Sequence, residues 1–299
     1  MAKSGTYYLG RVLKLGLLNQ DLLIEALKKP QSVKFRGNAW TFLDVEEYRA
    51  SGEHFIFGRL SKYSPEGEVG VVDESTRSQV MQIEPNLLVA SSPFVYIPAH
   101  SGIAFLNVPG QIEIKGFISR FCEIVEHTHN GFFVDCDIDL VSDLKTFAAK
   151  LLALDGVYRI EARISPPNPL FSPLWAELEK YLRERNTDRM TLVEDAPDAG
   201  SLKTDLPQLV KAASEQTEDA PFVPDVQIPI GDAAILMAAD GYGAGIVKGK
   251  RKGELVVIRT SETAMNFMFE KNPQPYGLYE RALELFDRIE KLRHMEHGE

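Results

Sequence analysis

An acidic run near the middle of the chain has the residue types and spacing of a metal-binding site. In FFVDCDIDL, residues 132–140, the aspartates Asp135, Asp137 and Asp139 alternate with apolar residues. In a β-strand these carboxylates share one face, with about 7 Å between successive ones. Aspartates placed in this way hold Mg²⁺ in enzymes that transfer phosphoryl groups. One hypothesis is therefore a metal-dependent phosphoryl-transfer enzyme or nuclease that uses Asp135 and Asp137, with Mg²⁺ as its cofactor.

A nearby segment offers a competing explanation for the same aspartates. VYRIEARIS, residues 157–165, also alternates and puts Arg159, Glu161 and Arg163 on one face. If the two segments are adjacent strands, the arginines lie beside the aspartates and neutralise them. Exposed ion pairs of this kind contribute only about 0 to 1 kcal/mol each. The second hypothesis is thus a ladder of charges that needs no cofactor.

A glycine-rich basic run lies further along the chain. GYGAGIVKGKRKGELVVIR, residues 241–259, carries the cations Lys248, Lys250, Arg251 and Lys252. Its glycine spacing matches neither the phosphate loop of nucleotide hydrolases nor the dinucleotide-binding fingerprint. The alternation instead predicts a β-hairpin with the cations at its tip. Such a tip either stays in water and discourages edge-to-edge association, or contacts the phosphates of a nucleic acid.

The sequence leaves open whether the protein is an enzyme. It contains no G-x-S-x-G or H-E-x-x-H motif, so a hydrolase of those types has no support. The two cysteines, Cys122 and Cys136, fall in apolar patterns and are predicted to be core residues.

The hydrophobic pattern predicts the elements that position these residues. Apolar residues at helical spacing predict helices over 111–128, 142–155 and 172–186. Short runs rich in Val, Ile and Phe precede them and predict antiparallel strands. The helices and strands of residues 111–165 alternate in the order of a βαβ unit with parallel strands. We therefore predict an α+β fold: a mixed, mainly antiparallel sheet, helices on one face, a charged open face and a C-terminal helix.

Composition shifts suggest three regions. Residues 1–193 form the main α+β domain, and 194–230 form an acidic, Pro-rich linker or excursion with one helix near 205–216. Residues 231–299 hold the hairpin and the C-terminal helix, which we expect to pack on the main domain.

The bulk composition limits the partners. The chain has 299 residues, 44% of them hydrophobic, and a formal net charge of −10. No apolar run approaches the ~18 residues of a membrane span, which predicts no membrane partner and a cytoplasmic location. The acidic balance excludes a protein that coats nucleic acid over its whole surface, but it permits one local basic patch.

Three segments carry a resemblance to known proteins. HFIFGRLSKY, ISPPNPLFSPLWAELEKYLRERNTDRM and GYGAGIVKGKRKGELVVIR resemble an uncharacterised bacterial family of domains of unknown function, linked to phage-defence genes. The resemblance implies a bacterial cytoplasmic protein concerned with foreign nucleic acid.

Taken together, these patterns give one leading functional hypothesis and one further alternative. The leading hypothesis is a nucleic-acid-binding accessory or effector protein of a bacterial antiviral defence system. The hairpin cations would contact phosphates, with help from Arg159 and Arg163. The alternative is a protein-interaction or oligomerisation module on the last helix, where a partner would cover four apolar residues: Tyr279, Leu283, Phe286 and Ile289.

Overall fold

Strands dominate the first part of the chain, and helices and strands are mixed in the second part. A computed structural model describes residues 3–50, 52–167, 170–198, 200–224 and 227–297. The first part of the chain contains β1 (Ser4–Gly16), α1 (Gln20–Lys28), β2 (Val33–Phe35), β3 (Asn38–Ala50), β4 (Glu53–Asp73), β5 (Ser78–Ile97), β6 (Gly102–Leu106) and α2 (Ile114–Thr128). The second part contains β7 (Val134–Leu140), α3 (Leu144–Leu152), β8 (Gly156–Ile164), β9 (Leu170–Phe171), α4 (Ala176–Glu184), β10 (Met190–Asp195), α5 (Leu206–Glu215), α6 (Ile230–Met237), β11 (Gly243–Arg251), β12 (Glu254–Arg259), β13 (Asn266–Glu270), α7 (Pro275–Arg293) and β14 (Glu296–His297).

The first sheet is antiparallel and has helices on both of its faces. Its strand order is β13-β1-β6-β5-β4-β3-β2, and β7 also pairs with β1. On one face, Phe94 and Phe105 pack against Phe117 of α2. On the other face, Phe55 stacks on Tyr279 of α7. Each buried aromatic side chain of this kind contributes about 1.5 to 3 kcal/mol by leaving water.

A second antiparallel sheet, in the order β10-β8-β11-β12, packs one of its faces against helices. Its inner face packs against α3, α5 and α6, and Ile160 and Val247 are fully buried there. A Cβ added at Gly245 would lie 3.0 Å from the Ile235 side chain of α6. The glycine therefore lets the helix approach the sheet closely. The predicted α+β class, the mainly antiparallel pairing and the C-terminal helix are confirmed.

The predicted parallel βαβ unit is wrong in its strand pairing. Strand β7 pairs antiparallel with β1, with Gly10 opposite Leu140, whereas β8 belongs to the second sheet. Helix α3 thus connects two sheets. Alternation along β7 determines which side chains share a face, but it does not determine which strand lies beside β7. The long β1 offers a free edge, and β7 pairs with it. The helices are likewise divided between two sheets, where we predicted that all would cover one face.

Strands β4 and β5 extend past the first sheet as a two-stranded ribbon. Their pairing continues to Asp73 opposite Ser78 at the far end. The ribbon exposes apolar side chains, among them Val72, Met81 and Ile83. Sequence analysis predicted only short strands here, because Gly and Pro residues interrupt the apolar pattern.

The acidic segment 194–230 contributes to the core of the second sheet. The helix predicted near 205–216 is confirmed as α5, and Leu206, Val210 and Ala213 are buried against the residues around α3. Residues 199, 225 and 226 of this segment lie outside the described residues. The division of the chain into three regions stays a prediction.

The C-terminal helix uses its apolar face within the chain. Tyr279, Phe286 and Ile289 are buried against the first sheet, and Leu283 packs against the same cluster. These four side chains are therefore used within the chain and are not available to a partner, and the protein-interaction or oligomerisation module stays a prediction. An amphipathic pattern indicates that a helix face is buried, but it does not identify what buries it. Among the helices described, none is long and apolar enough to cross a bilayer.

Candidate functional site

The outer surface of the second sheet, which we call the open face, carries most of the cations that the sequence singled out. Alternation turns every second residue of β8 and β11 toward it, and Arg159, Arg163, Lys248 and Lys250 are all at least partly exposed. On the edge strand β12, Leu255 is 77% exposed. The open face thus combines positive charge with accessible apolar surface.

The predicted hairpin is confirmed, but its cations do not all lie at the tip. Strands β11 and β12 pair from Ile246 opposite Arg259 to Arg251 opposite Glu254. Lys252 and Gly253 form the turn between them, and their φ angles of 53° and 83° correspond to a type I′ turn. Because β11 continues to Arg251, Lys248 and Lys250 belong to the sheet. Only Arg251 and Lys252 lie beside the turn.

Lys248 and Lys250 of the hairpin share one surface with the arginines of β8. Lys248 and Arg159 are cross-strand partners of β11 and β8. The register then shifts at Gly249, leaving Tyr158 unpaired on the same surface. The Lys250 ammonium lies 4.9 Å from the centre of the Tyr158 ring, a cation–π contact.

The arginines and lysines of the open face differ in their ion pairing. Arg159 donates to Asp195 at 2.8 Å and to Glu161 at 3.2 Å. These carboxylates raise the pKa of Arg159, with Asp195 as the larger cause. Arg163 donates to Asp137 at 2.7 Å. In the part of the chain that the structure describes, no ion pair involves the four hairpin cations Lys248, Lys250, Arg251 and Lys252.

Asp135 and Asp137 of β7 lie against arginines, which the charge-ladder hypothesis predicted in part. Arg163 is one of these arginines, whereas Arg159 pairs with Asp195 and Glu161 instead. Asp137 accepts from Arg163, and Arg189 lies 3.6 Å from Asp135 and 3.4 Å from Asp137. The contacts cross from one sheet to the other, and they include Arg189, which sequence analysis missed. Burial and the neighbouring charge of Asp137 raise the pKa of Asp139 to about 7.

A metal site at Asp135 and Asp137 stays a prediction. Within the described ranges, a different group has the spacing of metal ligands. Potential ligand atoms of His100, Asp287 and Glu290 all lie within 4.8 Å of one another. There the Arg11 guanidinium lies 3.5 Å from Glu290, which also hydrogen-bonds His100 at 2.7 Å. A fixed positive charge at that distance disfavours a cation, so these groups form a hydrogen-bonded network.

Sequence analysis also missed a buried polar network between the two sheets. The Asp240 carboxylate pairs with Arg293 at 2.6 Å and accepts from the Trp175 indole at 2.8 Å. Arg11, which is fully buried, donates to the backbone oxygens of Asp240 at 2.9 Å and His100 at 2.6 Å. Charged residues inside apolar runs, Arg11 in YYLGRVLKLG and Asp240 in ILMAADGYG, were the available signal. Buried charges persist only when paired, so this network has a structural role.

The predicted core role of the two cysteines is confirmed. Cys122 of α2 and Cys136 of β7 are free and buried. The pKa of the Cys122 thiol is raised well above its ordinary value, mainly by a hydrogen bond to Cys136 and also by burial. The thiolate form is therefore disfavoured.

Comparison with protein families identifies the family of this chain. The family model of DUF4747, a domain of unknown function, matches residues 20–220, about two thirds of the chain. The matched range includes β8 and β10 but ends before the β11–β12 hairpin. None of the curated proteins matches the chain.

Proposed function

Because the chain belongs to the DUF4747 family of domains of unknown function, we propose a function from the site itself: the open face binds nucleic acid. The hairpin cations would contact phosphates, and the exposed apolar and aromatic side chains beside them would contact bases. An open antiparallel sheet with an aromatic side chain on its surface is a frequent platform for single-stranded nucleic acid.

The observation that carries this proposal is the cross-strand pairing of Lys248 with Arg159. It joins two sets of cations, about 90 residues apart in sequence, into one surface. Cations clustered on one face are what phosphate binding requires, even in a chain of net negative charge.

Unpaired and paired cations would have different roles in binding. The side chains of the hairpin cations form no ion pair among the described residues, although the backbone amide of Lys252 donates to the Asp155 carboxylate. A phosphate would therefore meet these side chains without displacing a carboxylate from them. Arg159 and Arg163 already donate to carboxylates, and a phosphate would have to compete for them. The hairpin cations are therefore expected to supply most of the affinity.

The proposal is tested by fluorescence anisotropy with labelled 24-nucleotide RNA and DNA strands at increasing salt. Four phosphate contacts to a single strand predict a loss of affinity of about 50-fold between 50 and 200 mM salt. The double variant Lys248→Glu/Lys250→Glu is expected to lose tenfold or more. Binding of both strands that is absent, or that does not respond to salt, would contradict the proposal.

A matched control reverses two exposed lysines on the helices that cover the opposite face of the sheet. Lys145 lies on α3 and Lys180 on α4, so Lys145→Glu/Lys180→Glu changes net charge by the same amount. It is expected to bind almost as well as the unmodified protein. If it lost as much affinity as the hairpin variant, net charge and not the open face would explain binding. The roles in antiviral defence and in metal-dependent phosphoryl transfer stay predictions.

A further inference from the structure

A second basic surface lies on the first sheet, away from the hairpin. It is a cleft of about 630 Å³ between the β2–β3 hairpin, strand β4 and the first half of α2. Its walls include two aromatic residues and four cations: Phe35, Trp40, Arg36, Lys62, Lys115 and Arg120.

Three of these cations have no acidic partner. Within the described residues, Arg36, Lys62 and Lys115 form no ion pair, whereas Arg120 pairs with Glu123. Lys62 donates only a 3.4 Å hydrogen bond to the Gln111 side chain. Glu113 also lines the cleft, where its carboxylate accepts a 3.3 Å hydrogen bond from the Gly110 amide. The four cations outnumber this carboxylate, and the three without an acidic partner come from separate elements, which favours an anion there.

The N-terminus of α2 opens into the same cleft. The helix begins at Ile114, and no side chain caps its first amide groups. Lys115 and Gly116 of the first turn line the cleft, and a Cβ added at Gly116 would meet nothing within 4 Å. Uncapped amides and the helix dipole attract phosphate groups. The open space at Gly116 leaves room for one.

The aromatic wall suggests what carries the phosphate. Phe35 is 40% exposed, and the guanidinium of Arg120 lies 4.2 Å from its ring centre. Trp40 is 5% exposed, and its indole Nε1–H has no acceptor among the residues described. This nitrogen is itself out of reach of solvent, so Trp40 contributes the edge of its ring to the cleft wall and not a hydrogen bond to a ligand. Planar rings and guanidinium groups are also the surfaces on which nucleobases stack.

We propose that this cleft binds the phosphate of a nucleotide, with the base against Phe35. The phosphate would lie at the start of α2, between Lys62 and Lys115. It belongs either to a free mononucleotide or to the 5′ end of a strand, which share the same chemistry. This site adjoins one end of the open face, because Phe35, Lys115 and Arg120 also line a neighbouring cleft with Arg163. The proposal does not depend on nucleic-acid binding by the hairpin cations.

The test is isothermal titration of the full chain with AMP, adenosine and two hexanucleotides that differ only in a 5′-phosphate. Quenching of tryptophan emission gives a second readout, because Trp40 lines the cleft and the other tryptophan, Trp175, is buried beside Asp240. We expect AMP to bind and adenosine to bind at least tenfold more weakly. Binding of only the phosphorylated hexanucleotide would assign the phosphate to a strand end.

Variants locate the binding. Lys62→Gln/Lys115→Gln is expected to lose tenfold or more in affinity, and Lys29→Gln/Lys271→Gln, at two exposed lysines elsewhere, less than twofold. The hairpin variant Lys248→Glu/Lys250→Glu should keep AMP binding even if it no longer binds a 24-nucleotide strand. Failure of the open face and failure of the cleft are thus distinguishable. The inference is overturned if neither AMP nor the phosphorylated strand binds preferentially, or if the cleft variant binds normally.

Discussion

Arg163 of the second sheet donates a 2.7 Å hydrogen bond to Asp137 of the first sheet. The bond joins two strands that follow one another along the chain but belong to different sheets. It also places an arginine of the open face against the aspartate that sequence analysis considered as a metal ligand. The same two residues line a cleft beside α2.

Arg163→Ala tests the energetic weight of this contact. The Arg163 side chain is 45% exposed, and Arg189 still neutralises Asp137 when Arg163 is removed. We expect a loss of about 0 to 1 kcal/mol in the free energy of unfolding, measured with urea. Arg185→Ala, at an exposed arginine without an ion pair among the described residues, is the control. A loss several times larger would show that the contact holds the two sheets together.

Asp139→Asn is expected to change how stability depends on pH. Burial raises the pKa of Asp139 from 3.8 to about 7 in the folded protein, helped by the charge of Asp137. Between about pH 4 and pH 7 the folded state holds a proton that the unfolded chain has released, so stability falls as pH rises through this window. The side-chain amide introduced by Asp139→Asn cannot ionise, so the variant should not show this loss of stability as pH rises.

The measurement is the urea midpoint of both proteins between pH 5 and pH 8. The midpoint of Asp139→Asn should rise relative to that of the unmodified protein as pH increases. Asp188→Asn, at an exposed aspartate, should follow the unmodified protein. Parallel pH profiles for Asp139→Asn and the unmodified protein would refute the raised pKa.

Asp240→Ala is expected to be strongly destabilising. It removes the ion-pair partner of Arg293 and the acceptor of the Trp175 indole, both in the core. Removing one member of a buried ion pair costs about 3 to 5 kcal/mol, because the other charge stays buried. Asp240→Asn keeps an acceptor for Trp175 and should lose less. Equal losses in calorimetric unfolding would contradict the role assigned to the indole hydrogen bond.

Gly243→Ala tests the close contact between β11 and β8. An added Cβ would lie 2.2 Å from the backbone oxygen of Arg163, so one strand must move, at a cost of about 1 to 3 kcal/mol. Gly116→Ala in α2 is the matched control, because its Cβ meets open space. There a gain of about 0.5 to 1 kcal/mol in helix stability is expected. Thermal unfolding that ranked the two variants in the opposite order would reject this account.

Local patterns predicted many of the elements and the faces on which their side chains lie. The helices α2, α3 and α4, the strands β7 and β8 and the β11–β12 hairpin all follow from apolar spacing. Side-chain direction has a fixed period in each type of element. The surface shared by Arg159 and Arg163 could therefore be identified before the fold.

The cleft at Phe35 had no comparable signal. Its cations come from a turn, a strand and a helix, separated by up to about 80 residues in the sequence. No local pattern relates such positions, because only chain packing brings them together. The exposed Phe35 also follows no strict alternation, since β2 has just three residues.

The sequence by itself determined that Lys248 and Lys250 belong to a hairpin, that the aspartates of β7 share a face, and that a long amphipathic helix, α7, forms near the C-terminus. Tertiary structure alone decided that β7 and β8 lie in different sheets, that Lys248 pairs with Arg159, and that the last helix covers the chain's own core. The physical reason is that periodicity records whether a face is buried or exposed. The partner that buries it depends on contacts between residues far apart in sequence.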